Sequence, residues 1–448
     1  MTEPISERRR REVIDALRRG TVPQNGLDVL AVGLDRFTLA LDAELDTVTA
    51  GGAVFKCVRG EYGSGKTFFA RWLAERAKRR GMAVAEVQIS ETETPLHRLE
   101  TVYRRICEQL QTAEFPPSAL RPVLDAWMFT LEEDVIAAGG VAESDAVGLD
   151  VAVARLLERR LSDVSRHAPA FATALRGYRG AVGAGDVAAA EGLVAWLGGQ
   201  PHVSASVRRA AGLRGELDHF GAFGFLQGLL TVLRDSGHTG LLVVLDEVET
   251  LQRVRSDVRE KALNALRQLI DEIDGGRFPG LYLLITGTPA FFDGSQGVQR
   301  LPPLAQRIAT DFSTDARFDN QRAVQIRLPG FDLAGLCELG GRVRSLYVRG
   351  VASPAGIHRL VDDEYIEALA RAVTGRLGGK VGVAPRVYLK KLVGDVLDRV
   401  DQFADFDPRQ HYALTMDLAE LTAVERNAMA GPGGDDPDSV ALDVGSGG

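Results

Sequence analysis

The chain has 448 residues, 45% of them hydrophobic and 25% charged, which is typical of a soluble globular protein with one large domain or two to three smaller ones. Its formal net charge of −8 excludes a protein whose whole surface binds nucleic acid, but it allows a local basic patch. The three cysteines, Cys57, Cys107 and Cys337, are too widely spaced to predict a disulfide framework or a zinc cluster.

The first 50 residues predict helices. Residues 6–20 combine a capping serine, Ser6, with apolar side chains at helical spacing and a terminating glycine, Gly20. The arginines of this segment form either a solvated helix face or a surface for an acidic partner. Because no long apolar run follows them or occurs elsewhere, we expect no signal peptide, no membrane span and a cytoplasmic protein.

Five short apolar runs predict buried strands. The first two are joined by a predicted helix that begins at Lys66, and this βαβ unit is typical of a parallel sheet. The predicted strands lie within residues 51–60, 82–90, 240–251, 280–292 and 323–331.

The stretch 112–215 separates the second and third predicted strands and differs from the rest in composition. It is rich in alanine, glycine and arginine, and it predicts a helical insertion. Within 151–214, nine arginines face four acidic residues, a local charge of +5. This insertion is either an ordinary solvated one or a docking surface for nucleic acid or an acidic partner.

A glycine-rich segment follows the first strand. Gly60, Gly65, Lys66 and Thr67 match the pattern G-x4-G-K-[ST]. Glycines let backbone amides turn toward phosphate oxygens, the lysine reaches the β- and γ-phosphates, and the threonine hydroxyl binds Mg²⁺ at a helix N-terminus. The predicted ATP-binding residues are Gly60, Glu61, Tyr62, Gly63, Ser64, Gly65, Lys66, Thr67 and Phe68.

Polar residues follow the third and fourth strands. Asp246 and Glu247 come directly after the apolar run 241–245, at the strand end where open α/β sheets bind their ligands. We predict that Asp246 holds Mg²⁺, together with Thr67, and that Glu247 polarises the attacking water. Thr286 and Thr288, at the end of the fourth strand, are candidates to orient that water or to contact the γ-phosphate, with a simple turn threonine as the alternative, and we favour Thr286.

Two arginines are further catalytic candidates. Arg307 lies between the fourth and fifth strands, where it could reach a neighbouring subunit as an arginine finger. Arg300 is a rival for that role, and a surface ion pair is the alternative for both. Arg386, at the start of a C-terminal helix, could reach the nucleotide.

In this order, Gly60–Thr67, Asp246–Glu247, the TGTP of residues 286–289 and the APRVYL of residues 384–389 resemble the AAA+ ATPases, and among them the origin-recognition and initiator-loader branch. The resemblance implies an α/β fold of the P-loop NTPase (AAA+) type. It further implies a parallel five-stranded sheet of order 5-1-4-3-2 with a C-terminal helical lid.

In this framework Thr286 takes the sensor-1 place and Arg386 the sensor-2 place. The long separation of Lys66 and Asp246 implies that the helical insertion lies between the second and third strands. The implied domains are a helical segment at 1–50, an ATPase core at 51–331 with its insertion at about 112–215, a helical lid at 332–428 and a disordered tail at 429–448.

Longer stretches resemble the BREX-system ATP-binding family, the BrxD-like group of bacterial phage-defence operons. They cover residues 22–37, 58–77, 85–105 and 240–273. The resemblance implies a defence component that works with a helicase-like protein and other operon products on DNA. A winged-helix DNA-binding domain is not evident after the predicted lid, so DNA is contacted directly or through a partner.

Three functions are compatible with these motifs. The first is an ATP-hydrolysing switch or motor in a DNA-associated defence complex, acting alone or as a homo-oligomer. The second is a nucleotide-dependent scaffold with little hydrolysis, against which the intact Glu247 argues. The third, a small-molecule kinase, is disfavoured by the paired acids Asp246 and Glu247.

Overall fold

A computed structural model describes residues 5–139, 145–351, 353–376 and 385–414. The chain divides into two compact units. The larger comprises Asp35–Arg59 and Phe69–Arg327, and the smaller comprises the described parts of Met1–Leu34, Gly60–Phe68 and Leu328–Gly448. The domain boundaries expected from the sequence stay a prediction, and the predicted tail at 429–448 lies outside the described residues.

The larger unit is built on a five-stranded sheet whose neighbouring strands all pair in parallel. Its order, β2-β3-β4-β1-β5, is the predicted 5-1-4-3-2 read from the other side. Both the five strands and their order are therefore confirmed. The strands are β1 (Val54–Arg59), β2 (Ala83–Gln88), β3 (Leu241–Asp246), β4 (Leu281–Gly287) and β5 (Gln325–Arg327).

Burial explains why these short runs become strands. All seven residues of β4 and the first five of β3 are buried, as expected for parallel strands covered on both faces. Because the strands are parallel, their carboxyl ends share one edge of the sheet, where β3 ends in Asp246 and β4 in Thr286 and Gly287.

Helices pack around this sheet. Those outside the insertion are α2 (Asp35–Thr49), α3 (Lys66–Arg79), α4 (Leu99–Gln109), α11 (Gly221–Asp235), α12 (Ser256–Asp274), α13 (Pro289–Asp293) and α14 (Pro302–Arg307). Short 3-10 turns occur at Val248–Gln252, Val298–Arg300 and Ala316–Phe318.

The insertion between β2 and β3 is helical, as predicted. Its core is continuous with that of the sheet and centres on aromatic contacts, with the Phe225 ring of α11 packed 5.1 Å from Phe171 and 5.3 Å from Trp196 between ring centroids. Its helices are α5 (Leu120–Ala137), α6 (Ala146–Arg160), α7 (Ser162–His167), α8 (Pro169–Gly183), α9 (Val187–Leu197) and α10 (Ala205–Ala210).

The smaller unit is helical and has its own apolar core. Its elements are α1 (Glu7–Arg19), a 3-10 turn (Leu27–Leu30), α15 (Leu333–Val348), α16 (Pro354–Leu360), α17 (Asp363–Arg376), α18 (Pro385–Lys390), a π-helical turn (Lys391–Leu397), α19 (Asp398–Gln402) and α20 (Pro408–His411).

Helix α1 begins and ends as the sequence predicts. The Ser6 hydroxyl accepts a hydrogen bond from the Arg9 amide at 3.4 Å, and Gly20 closes the helix in the left-handed conformation, with φ 71°. The Arg18 guanidinium binds both carboxylate oxygens of Asp398, at 2.6 and 2.9 Å. Because Tyr347 also donates to Asp398, at 2.8 Å, an ion pair between distant parts of the chain holds α1 in the C-terminal helical core.

Candidate functional site

The glycine-rich loop after β1 requires its glycines. Gly63 and Gly65 have φ of 78° and 90°, which side chains with a Cβ rarely adopt. A Cβ on Gly60 would lie 2.3 Å from the Ser64 hydroxyl and 3.3 Å from the Leu328 carbonyl oxygen. The G-x4-G spacing is therefore needed for a closely folded backbone as well as for any ligand.

Lys66 begins α3 and turns back into this loop. Its ammonium group donates to the carbonyl oxygens of Gly60, at 2.9 Å, and Glu61, at 3.3 Å, and lies 5.1 Å from the centre of the Tyr62 ring. The residue is only 8% exposed. The loop thus holds a buried lysine ammonium group.

This loop fits a phosphate group. The first turn of a 14-residue helix offers backbone N–H groups that no intrahelical carbonyl can accept, and its partial positive charge favours an anion. The Lys66 ammonium adds a full charge at the same end, and the Thr67 hydroxyl follows it in the first turn. These groups would hold the phosphates of a nucleotide and, through Thr67, its metal ion.

A second group of predicted residues meets at the carboxyl edge of the sheet. The buried Thr286 hydroxyl donates to Asp246 Oδ1, and the Glu247 amide approaches the same oxygen at 3.1 Å and the Thr286 Oγ1 at 3.3 Å. Asp246, Glu247 and Thr286 therefore form one hydrogen-bonded cluster, and the catalytic and metal-binding roles expected of them stay predictions.

Glu247 has an unusual backbone. Its φ of 60° and ψ of 41° lie in the left-handed region, where a residue other than glycine is strained. The turn that follows is closed by Thr250, whose hydroxyl donates to the Glu247 carbonyl oxygen at 3.0 Å.

Gln88 is the residue of this cluster that the sequence analysis missed. It ends β2, and its amide donates to Glu247 Oε2 at 2.7 Å. The pairing of Gln88 with Asp246 in the β2–β3 ladder brings it to this edge of the sheet. The one signal in the sequence was a polar residue at the end of a predicted strand, which does not by itself identify a functional residue.

Thr288 has a different role from Thr286. Its hydroxyl accepts a hydrogen bond from the Phe291 amide at 3.4 Å and caps α13. Of the two threonines weighed from the sequence, Thr286 is therefore the one in contact with the acidic cluster. Its water-orienting role stays a prediction.

The candidate arginines lie in other surroundings. Arg307 ends α14, pairs with Asp271 and donates to the Pro303 carbonyl oxygen at 2.7 Å. Arg300 donates to the Ser256 hydroxyl at 3.2 Å. Arg386 lies beside the C-terminal end of α1, its guanidinium 3.7 Å from where a Cβ on Gly20 would be. Their catalytic roles stay predictions.

Cysteine chemistry takes no part in this site. Burial raises the pKa of the Cys57 thiol in β1 to about 12, and the same cause raises that of Cys107 to about 12. Neither thiol forms an appreciable amount of the nucleophilic thiolate near neutral pH. Within the described ranges, no three histidine, cysteine or acidic side chains gather as a metal site would require.

Comparison with family models places the chain. The model of the family described as BREX system ATP-binding protein BrxC/D matches residues 5–416. The chain belongs to this family, which confirms the resemblance seen in its motifs. Comparisons with curated proteins and with solved structures found no match. In the part of the chain that the structure describes, no helix has the length and apolar content needed to cross a membrane.

Proposed function

We propose that this protein is a P-loop ATPase of the AAA+ type that binds ATP with Mg²⁺ and hydrolyses it. The observation that carries the proposal is the cluster at the carboxyl edge of the sheet, where Glu247 follows a hydrogen-bonded Asp246. A protein that only binds nucleotide needs the glycine-rich loop and has no use for a second, separately held carboxylate.

Each residue has a defined task in this proposal. The backbone amides of the loop and the Lys66 ammonium bind phosphate oxygens, and the Thr67 hydroxyl and the Asp246 carboxylate hold the metal ion. When Mg-ATP is bound, ATP supplies the phosphoryl group that is transferred, and Mg²⁺ neutralises part of the charge on that group. Glu247 accepts a proton from the attacking water, and the Thr286 hydroxyl fixes Asp246.

The neighbours of Glu247 suit the role of a base. Its carboxylate accepts from one neutral amide, that of Gln88, and remains partly exposed. The bond to Gln88 sets the direction of one carboxylate oxygen without neutralising its charge. A correctly positioned general base typically raises the rate of a reaction by a factor of about 10² to 10⁴.

The cellular role follows from the family. We propose that the protein is an ATP-driven switch or motor in a bacterial BREX-type phage-defence system. It would act in the cytoplasm in a DNA-associated complex with partner proteins of the same operon, such as a helicase-like protein. Arg307, or Arg300, would complete the site of a neighbouring copy, and Arg386 would contact the nucleotide.

The deciding experiment measures ATP hydrolysis by the purified chain, with and without double-stranded DNA, together with molar mass from light scattering. We expect Lys66→Ala to abolish nucleotide binding. We expect Glu247→Gln to retain ATP binding while its turnover falls at least about 100-fold. Lys66→Arg is the matched control for charge, because it keeps a positive charge at this position but changes the shape of the group that lies in the loop.

Two results would overturn this assignment. A Lys66→Ala variant with wild-type turnover would show that the loop does not bind the phosphates. A wild-type chain that binds ATP tightly but hydrolyses it no faster than Glu247→Gln, alone or with DNA, would favour the nucleotide-dependent scaffold instead.

A further inference from the structure

The helical insertion contains a basic groove that the nucleotide site does not use. A cavity of about 590 Å³ lies between α6 and α8, and its walls carry four arginines and one acidic residue. Its lining therefore has a formal charge of +3 in a chain whose net charge is −8. The side chains used below are Arg155, Leu157, Glu158 and Arg159 of α6 and Arg176 and Arg179 of α8.

One wall of the groove offers two exposed guanidinium groups. Arg155 and Arg159 are four residues apart on α6, so they lie on one face of the helix about 6 Å apart along its axis. This spacing is comparable with two steps of about 3.4 Å along one strand of a nucleic acid.

The opposite wall holds its arginines in place. Arg176 binds both carboxylate oxygens of Glu158, at 2.5 and 2.8 Å, and the Ser165 hydroxyl at 3.2 Å. Arg179 donates to the Asp150 carbonyl oxygen at 2.8 Å and pairs with its carboxylate. Arg176 and Arg179 are therefore paired with carboxylates and join α8 to α6, so the charge that the groove offers to an anion is that of Arg155 and Arg159.

We propose that this groove binds the phosphodiester backbone of DNA without sequence preference. Arginine forks match phosphate oxygens in pairs, and a row of them matches a regularly charged backbone. The remaining lining, Leu157 and Ala154, has no side-chain hydrogen-bonding group to read base edges and no aromatic ring on which bases could stack. The groove lies wholly on α6 and α8, and none of its lining residues belongs to the glycine-rich loop or to the acidic cluster.

The test measures the binding of a fluorescein-labelled 30-base-pair duplex by fluorescence anisotropy over a series of salt concentrations. Arg155→Ala/Arg159→Ala removes two proposed phosphate contacts at exposed positions. The matched control, Arg209→Ala/Arg214→Ala, makes the same charge change at exposed positions of the same insertion. Circular dichroism and urea denaturation confirm that each variant is folded.

We expect the groove variant to bind at least about tenfold more weakly than the wild type. The slope of log Kobs against log salt should become shallower by about 1.8, because each lost phosphate contact removes about 0.9. The control should stay within threefold of the wild type. Replacing the duplex by an unrelated duplex of equal length should leave both results unchanged.

Three results would overturn the proposal. One is equal weakening in the groove and control variants, which indicates non-specific attraction to the insertion. Another is failure of the wild type to bind duplex or single-stranded DNA at low salt. The third is preferential binding of a poly-glutamate peptide through Arg155 and Arg159, which assigns the groove to an acidic protein. None of these depends on whether the chain hydrolyses ATP.

Discussion

Replacing Glu247 by glycine and, in a second variant, by alanine separates the backbone of this position from its side chain. Both variants lose the carboxylate and its 2.7 Å hydrogen bond to Gln88, so that loss cancels in the comparison. Only the alanine variant keeps a Cβ at φ 60°. A Cβ in the left-handed region costs about 1–2 kcal/mol. Glycine has more conformational freedom in the unfolded chain than alanine. This freedom lowers the stability of the glycine variant by about 0.4–1 kcal/mol and so offsets part of its advantage.

The glycine variant should therefore be more stable than the alanine variant by about 0.5–1 kcal/mol, the reverse of the usual order. Equilibrium urea denaturation measures the difference. Glu260, exposed in the interior of α12, provides the control. There, glycine should be less stable than alanine by about 0.5–1 kcal/mol. An alanine variant at 247 that equals or exceeds the glycine variant would refute the strain assigned to this residue.

Three further substitutions test the surroundings of the cluster. Gln88→Leu should lower kcat about tenfold and leave KM for ATP within twofold, because it removes the donor that directs the Glu247 carboxylate; an unchanged kcat would make that bond irrelevant to turnover. Thr286→Val keeps the side-chain shape but removes the buried hydroxyl that donates to Asp246. Urea denaturation should show that the free energy of unfolding falls by about 1–3 kcal/mol, and a fall below about 0.5 kcal/mol would contradict this hydrogen bond. Arg307→Ala should lower the rate of ATP hydrolysis in a steady-state assay. Asp271→Ala removes only the ion-pair partner of Arg307 and should leave that rate unchanged. Equal losses of rate in the two variants would indicate that the pair is structural.

The sheet could be predicted because its strands carry a local signal. In β3 and β4, consecutive apolar residues follow a glycine and end at a polar residue, a pattern typical of a short strand buried on both faces. The order of the strands has no such local signal in the sequence, because it depends on contacts between residues that are distant along the chain. It came from the resemblance of the loop and acid motifs to a known family.

The cluster at the sheet edge could be predicted only in part. Asp246, Glu247 and Thr286 each follow an apolar run, so their common position followed from the parallel arrangement. The contact of Gln88 with Glu247 depends on which strand lies beside β3 and on the left-handed turn after Asp246. No pattern within β2 encodes either of these facts, and a single polar residue at a strand end is too common to identify by itself.

The helical insertion shows what amino-acid composition alone cannot predict. A local charge of +5 cannot distinguish arginines that stabilise the fold from arginines that meet a ligand. The structure separates them: Arg160 pairs with Asp134 and Asp235, and Arg208 donates to backbone carbonyls. Arg155 and Arg159 instead lie exposed on a groove whose far wall is already fixed by ion pairs. A fold needs no such arrangement for stability, because exposed like charges one helical turn apart repel each other. The placement of these two arginines is therefore the observation that favours a polyanion over a merely solvated helix.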